Sequence, residues 1–316
     1  MIPSPPMFLV NHVRELPGFA LLAALVSFLL PVGAMTEARD PIPVVVTIPV
    51  LKDLAQQVGG PHVRVTSLLS GYENEHTYSP KPTDLVAVRK ARLLLEIGMG
   101  LEVWVSSLVK NAGGRSLRVI TTSQGVELIR DDADVHEGTH HEGTAGNPHI
   151  WLDPENVAIM LRHITEALIE VDPSHTAEFQ TNQSAYLQRL GQLQKELSAR
   201  TQRLSDRRFI AHHPAWPYLA KRFSLDIVGT IHMQAGTEPS ALHLQSLIDR
   251  IRKDHIKVVA SEIQLSQRLP EILARETKAH VVVLTTMPGG LPGTETYIDM
   301  LRYNVLQLAG ALETTS

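Results

Sequence analysis

The stretch VVVTIPVLKDLAQQVGGPHVRVTSLL, from Val44 to Leu69, decides the fold class. It opens with VVVTIP (Val44–Pro49), a continuous β-branched run of the kind found in strands buried on both faces. LKDLAQQVGG then spaces its apolar residues as a helix does and ends on Gly59, a natural helix stop. VRVTSLL (Val63–Leu69) is a second β-rich run. Strand, helix and strand in close succession predict a crossover unit, and hence a parallel sheet with helices on its faces.

The alternation continues outward. KPTDLVAVRKA has helical spacing, LLLEIG (Leu93–Gly98) reads as a third strand, and LEVWVSSLVKNAGG reads as a helix stopped by Gly113. An acidic, His- and Gly-rich stretch from Asp131 to Asn147 has no period and predicts a mobile surface loop. WLDPENVAIMLRHITEALIEV leads into a long pattern with few breakers, from about His175 to Leu204. Within it Tyr186, Leu190, Leu193, Leu197 and Leu204 fall near one helix face. RRFIAHH (from Arg207), LDIVGTI (Leu225), IKVVASE (Ile256) and HVVVLTT (His280) then resume as strands with helices between them.

The predicted architecture is α/β: two lobes, each a mostly parallel sheet flanked by helices, joined by one long rigid helix. The divisions read as 1–38 for an export signal and 41–173 for the N-terminal lobe with a His-rich loop at 131–147. A linking helix at 174–205 and a C-terminal lobe at 206–316 complete the chain. No internal sequence repeat is visible.

The chain's 316 residues allow one large domain or two medium ones. Its net charge of −4, with Lys and Arg dispersed, offers no basic stripe for nucleic acid. Cysteine is absent, which excludes disulfides, thiolate metal sites, Cys nucleophiles and lipid attachment through an N-terminal Cys. A metal would have to be held by nitrogen and oxygen, and the 15 His are concentrated in a few segments.

At the N-terminus, His12 and Arg14 precede an apolar core from Phe19 to Leu30 that Pro31 and Gly33 break, followed by small residues ending at Ala34 or Ala38. That pattern predicts a cleaved signal and a soluble, exported, periplasmic protein. An uncleaved anchor is the alternative, because Leu16 to Thr36 carries no charge.

Three His-containing segments fall at the ends of predicted strands, where open α/β sheets bind ligands. YENEHTYSPKPTD carries Glu75 and His76, NPHIWLDP carries His149, and FIAHHPAWPYLA carries His212 and His213. Three imidazoles with a carboxylate or water make a tetrahedral site suited to Zn2+. No two of the segments are close in sequence, so only a fold that joins both lobes can assemble them. Taken alone, each His reads first as an ordinary hydrogen-bonded or solvated residue.

The segments together resemble the periplasmic zinc- and manganese-binding proteins of ABC transporters, the family that contains the high-affinity zinc uptake binding protein. The resemblance covers nearly everything after the signal. EHTYSPKPTDL, ARLLLEIGMGLEVWV, NPHIWLDPENV, AHHPAWPYLAKRFSL, and GTEPSALHLQSLI with VVASEIQ match in order.

This resemblance implies a rigid helix between two lobes, a metal in the cleft, and His76, His149 and His213 as ligands. His213 is favoured over His212 because the family's ligand directly precedes the residues matching Pro214, Ala215 and Trp216. Many relatives supply a further Asp after the last strand, where this chain has Thr285 and Thr286. The fourth place is therefore open among Glu75, Glu262 and water, with Glu75 first.

Three imidazoles favour Zn2+ over Mn2+, which is the alternative cargo. The expected partner is a membrane permease driven by a cytoplasmic ATPase, with the protein acting as a monomer and not as an enzyme. His136, His140 and His141 in the acidic loop suggest a weak zinc collector.

A zinc hydrolase is the competing class, since three nitrogens and an open position also describe catalytic zinc. The sequence has no HEXXH helix and no Gly-x-Ser-x-Gly elbow to support it. A surface adhesin is a third reading. His175, His243 and His255 read as solvated, Trp104 and Trp151 as core or cleft lining, and Asp153 as a helix cap. Glu238 reads as another cap or as support for a ligand.

Overall fold

Ile42, Val44, Val45 and Val46 are all buried because their strand, β1 (Ile42–Val46), runs through the middle of a sheet. It pairs in parallel with β2 (Val63–Ser67) on one side and with β3 (Leu93–Glu96) on the other. β3 in turn pairs with β4 (Arg118–Thr121), giving the order β2-β1-β3-β4. The computed structural model describes residues 40–114, 116–130, 146–233 and 237–314. The proposed signal at 1–38 and the loop histidines His136, His140 and His141 lie outside the described residues.

The second sheet holds β5 (Arg208–Ala211), β6 (Asp226–Thr230), β7 (Val258–Glu262) and β8 (His280–Leu284), all parallel, in the order β6-β5-β7-β8. The two sheets therefore repeat one topology without repeating a sequence. In each, the chain's direction of travel reverses between the first and third strands, which opens a crevice at the carboxyl ends.

Between the strands lie α1 (Pro49–Gly59), α2 (Pro82–Lys90) and α3 (Val105–Ala112) in the first lobe. α1 starts two residues before the apolar spacing indicated, because Pro49 fits the first turn, where its missing N–H costs nothing. α3 stops where Gly113 takes the left-handed conformation, at φ 64°. α4 (Pro154–Val171) begins at Asp153, whose carboxylate accepts the Glu155 N–H at 2.8 Å, as the sequence predicts for a cap.

The long helix α5 (Thr176–Thr201) buries Phe179, Tyr186, Leu190, Leu193 and Leu197. It packs on α1 and α4 of the first lobe, and on α6 (Pro217–Phe223) and α9 (Tyr297–Thr314) of the second. α7 (Ala241–Asp254) and α8 (Arg268–Thr277) cover the remaining face of the second sheet. Ser240 caps α7 by accepting the His243 N–H, so the cap is not Glu238, which is exposed.

One hydrophobic cluster runs through both sheets and α5, so the lobes share a core. Polar contacts reinforce the junction. The Trp151 indole donates to the Thr286 carbonyl at 2.8 Å, and the Tyr297 hydroxyl donates to the Trp151 carbonyl at 2.7 Å. The Tyr297 N–H reaches back to Asp53 on α1. Trp151 and Trp104 are both buried.

Of the histidines expected to be solvated, only His255 is exposed. His243 bonds the Thr230 carbonyl, and His175 bonds Asp172 and stacks on His62. Among the described residues no helix is long and apolar enough to cross a membrane.

Candidate metal centre

The crevice at the strand ends receives one segment from each of three places. The loop from Leu68 to Lys81 leaves β2 and returns into α2. Local bonds shape it: Glu73 accepts from the Ser70 N–H and hydroxyl, and Asn74 Oδ1 accepts the His76 N–H at 2.9 Å. Its return is anchored by Asp84, which accepts from the Tyr78 hydroxyl and the Lys81 N–H. The loop thereby turns Glu75 and His76 inward, with the Trp104 indole against the Glu75 carbonyl.

His149 arrives just before the short 3-10 turn Ile150–Leu152 that leads into α4. His213 follows β5, at the point where the second sheet reverses its strand order.

The side chains converge. His76 Nε2 and His149 Nε2 are 3.1 Å apart, and His213 Nε2 and His149 Nε2 are 3.3 Å apart. Glu75 Oε1 stands 3.7 Å from His149 Nε2. The four donor atoms of Glu75, His76, His149 and His213 all lie within 4.8 Å of one another. Four ligands about 2.05 Å from a tetrahedral zinc would sit roughly 3.3 Å apart. The two spacings to His149 match that edge, and the carboxylate stands slightly back from it.

Hydrogen bonds set the tautomers of two of these rings. His149 Nδ1 lies 2.9 Å from Asn147 Oδ1, an acceptor, so Nδ1 holds the proton and Nε2 presents a bare lone pair. His213 Nδ1 lies 2.6 Å from Glu262 Oε1 and is likewise a donor. With neutral rings, lone pairs face one another at 3.3 Å, and a proton or a metal ion between them relieves that repulsion.

Burial and charge sort the groups. His76 is pushed down to about 4, first by burial and then by the charge of His213. His149 is held well below the ordinary imidazole range by burial, with the charges of His213 and His76 adding to it. For His213 burial pulls downward, but the charge and hydrogen bond of Glu262, with Glu75, outweigh it and raise the pKa. Burial raises Glu75 to about 7, and Glu75 Oε1 has no hydrogen-bond partner among the described residues.

Glu262, offered by the sequence as an alternative to Glu75, stands behind His213 rather than in the cluster. Its Oε1 accepts from His213 Nδ1, from the His213 N–H and from the Trp216 indole. His212 is fully buried and points away from the cluster, with Nδ1 accepting the Glu262 N–H. Where relatives carry an Asp, the Thr285 hydroxyl is engaged with Met287 and the Thr286 carbonyl with Trp151, while the Thr286 hydroxyl is buried with no hydrogen-bond partner among the described residues.

Sequence reasoning gave no role to Asn147, although an Asn two residues before a His is placed to accept that residue's N–H, as it does here at 3.0 Å. Four side chains thus present donor atoms to one point, within 4.8 Å of one another.

Comparison with known proteins agrees with the fold. The sequence profile described as zinc-uptake complex component A, periplasmic, matches residues 44–311. The iron-binding protein YfeA of Yersinia pestis is 29% identical over 271 residues, covering 84% of this chain and 85% of the relative. The high-affinity zinc uptake system protein ZnuA of Bacillus subtilis is 26% identical over 288 residues, covering 89% and 90%. A crystal structure of ZnuA superposes with a TM-score of 0.77 at 30% identity, covering 86% of this chain and all of that one. The chain belongs to the periplasmic zinc-uptake complex component A family, whose members are metal-binding, substrate-binding components of ABC transporters and not enzymes.

Proposed function

We propose that this protein captures one Zn2+ per chain with His76, His149, His213 and Glu75 and delivers it to the permease of an ABC transporter. The observation that carries this reading is the convergence of three imidazole Nε2 atoms at 3.1 and 3.3 Å, two of them made lone-pair donors by Asn147 and Glu262. Three nitrogens and one carboxylate suit a borderline ion that accepts four ligands. Zinc is the cargo here, so the site must also release it. Loading displaces the protons held by His213 and Glu75.

Export to the periplasm accords with the family and with the apolar N-terminal segment. A manganese- or iron-binding site is the second reading, favoured by the likeness to an iron-binding relative. Competition titrations distinguish the two. The preference for zinc over manganese and ferrous iron should exceed the one an ordinary nitrogen–oxygen site shows, and zinc-loaded protein should support ATP-dependent zinc uptake by vesicles carrying the cognate permease and its ATPase. Preference for manganese or iron would replace the zinc reading.

A further inference from the structure

We infer that Asn147 and Tyr218 act together as positioning residues that fix the spacing of His149 and His213 across the two lobes. The inference rests on the zinc-capture reading and extends it to two side chains that touch no metal.

Asn147 is buried, and each of its polar groups is engaged. Oδ1 accepts both the N–H and the Nδ1–H of His149, at 3.0 and 2.9 Å. Nδ2 donates at 2.5 Å to the carbonyl of Pro214, the residue after His213. The backbone N–H donates to the Ile129 carbonyl at 2.8 Å. The backbone carbonyl accepts the Tyr218 hydroxyl at 3.0 Å, and that hydroxyl oxygen accepts the Ile129 N–H at 3.1 Å.

Tyr218 is itself buried on α6, five residues after His213. Two short paths thus run from the His149 segment to the polypeptide that carries His213, one through the Asn147 amide and one through the Tyr218 hydroxyl. Only an amide serves the first path, because it needs an acceptor toward His149 and a donor toward Pro214. A carboxylate keeps the acceptor but turns a second acceptor on the Pro214 carbonyl, and alanine keeps neither. With both paths intact, the His149 ring has one orientation and one tautomer, and the 3.3 Å gap to His213 is set before the cation arrives.

The test uses Asn147→Ala, Asn147→Asp and Tyr218→Phe in the full mature protein. Chelator competition gives zinc affinity, nitrogen-15 shifts of the metal-free imidazoles give tautomers, and thermal melting gives stability. Asn147→Ala should lose about 10- to 100-fold in affinity with one zinc still bound, and His149 should no longer keep its proton on Nδ1. Asn147→Asp should retain that proton yet bind zinc more weakly than wild type. Tyr218→Phe, whose ring keeps its buried seat, should lose several-fold, and it decides the matter if Asn147→Ala is not recovered folded.

A lower melting temperature with affinity and tautomer unchanged in the folded variants would mean a merely structural role and overturn the inference. Wild-type protein that binds no zinc would overturn the capture reading along with it.

Discussion

His213 and Glu262 face each other from the ends of adjacent strands, with the imidazole Nδ1–H on the carboxylate at 2.6 Å and the Trp216 indole on the same oxygen at 2.9 Å. The carboxylate holds the ring with Nε2 turned toward His76 and His149. Glu262→Ala should therefore weaken zinc binding by about 10- to 100-fold without changing the stoichiometry. Glu262→Gln keeps an acceptor but removes the charge, so it should bind zinc with a pH dependence displaced toward lower pH. Chelator competition across pH measures both, and wild-type behaviour in the two variants would deny Glu262 this role.

Acidification should weaken zinc binding from neutral pH downward, and the protons responsible belong to His213 and Glu75. Both are raised in the metal-free protein, Glu75 to about 7, so both compete with the cation as pH falls through neutrality. His76 and His149 are pushed below the ordinary range and stay ready to ligate well into acid. Calorimetry in buffers of different ionisation enthalpy should detect proton release on zinc binding near pH 7. Affinity that stayed flat between pH 8 and pH 6 would contradict this assignment.

Glu75 makes the metal-free fold less stable at alkaline pH. Its folded pKa is raised to about 7 from 4.5, chiefly by burial, so its contribution to stability is full below pH 4.5 and is lost as pH rises through 7. The shift corresponds to about 3 kcal/mol. With chelator present, Glu75→Gln should be more stable than wild type at pH 8 by up to that amount, with the difference vanishing near pH 4. The same variant should bind zinc less tightly. Urea denaturation at the two pH values checks the sign, and a less stable variant at pH 8 would reverse it.

The long helix is a stability element remote from the metal chemistry. Leu193 on α5 is 1% exposed within the core shared by both lobes. Leu193→Ala should cost about 2–5 kcal/mol and lower the melting temperature, leaving zinc affinity of the folded protein unchanged at 25 °C. A loss of affinity without a loss of stability would tie α5 to the site directly.

The parallel sheets were legible because buried parallel strands are written as Val- and Leu-rich runs, as in β1, β3 and β7, and the half-buried edge strand β8 carries such a run as well. β4 was not, since RVIT is short and its edge position leaves Arg118 and Val119 exposed. The linking helix was visible in the spacing of Tyr186, Leu190, Leu193 and Leu197. The four inward residues of the crevice were named from motifs, but their convergence depends on contacts across the lobes that no local pattern encodes. The bonds of His175 to Asp172 and of His243 to Thr230 depend on how helix ends and strand ends meet. Asn147 was overlooked for the same reason: its partner Pro214 lies on the other lobe.

The central claim is tested most directly by the zinc content of the purified mature protein, compared with the His76→Ala, His149→Ala double variant. We expect one tightly held zinc per wild-type chain, unmatched by manganese, and none in the double variant. Wild-type protein without zinc, or a double variant that retains it, would contradict the site.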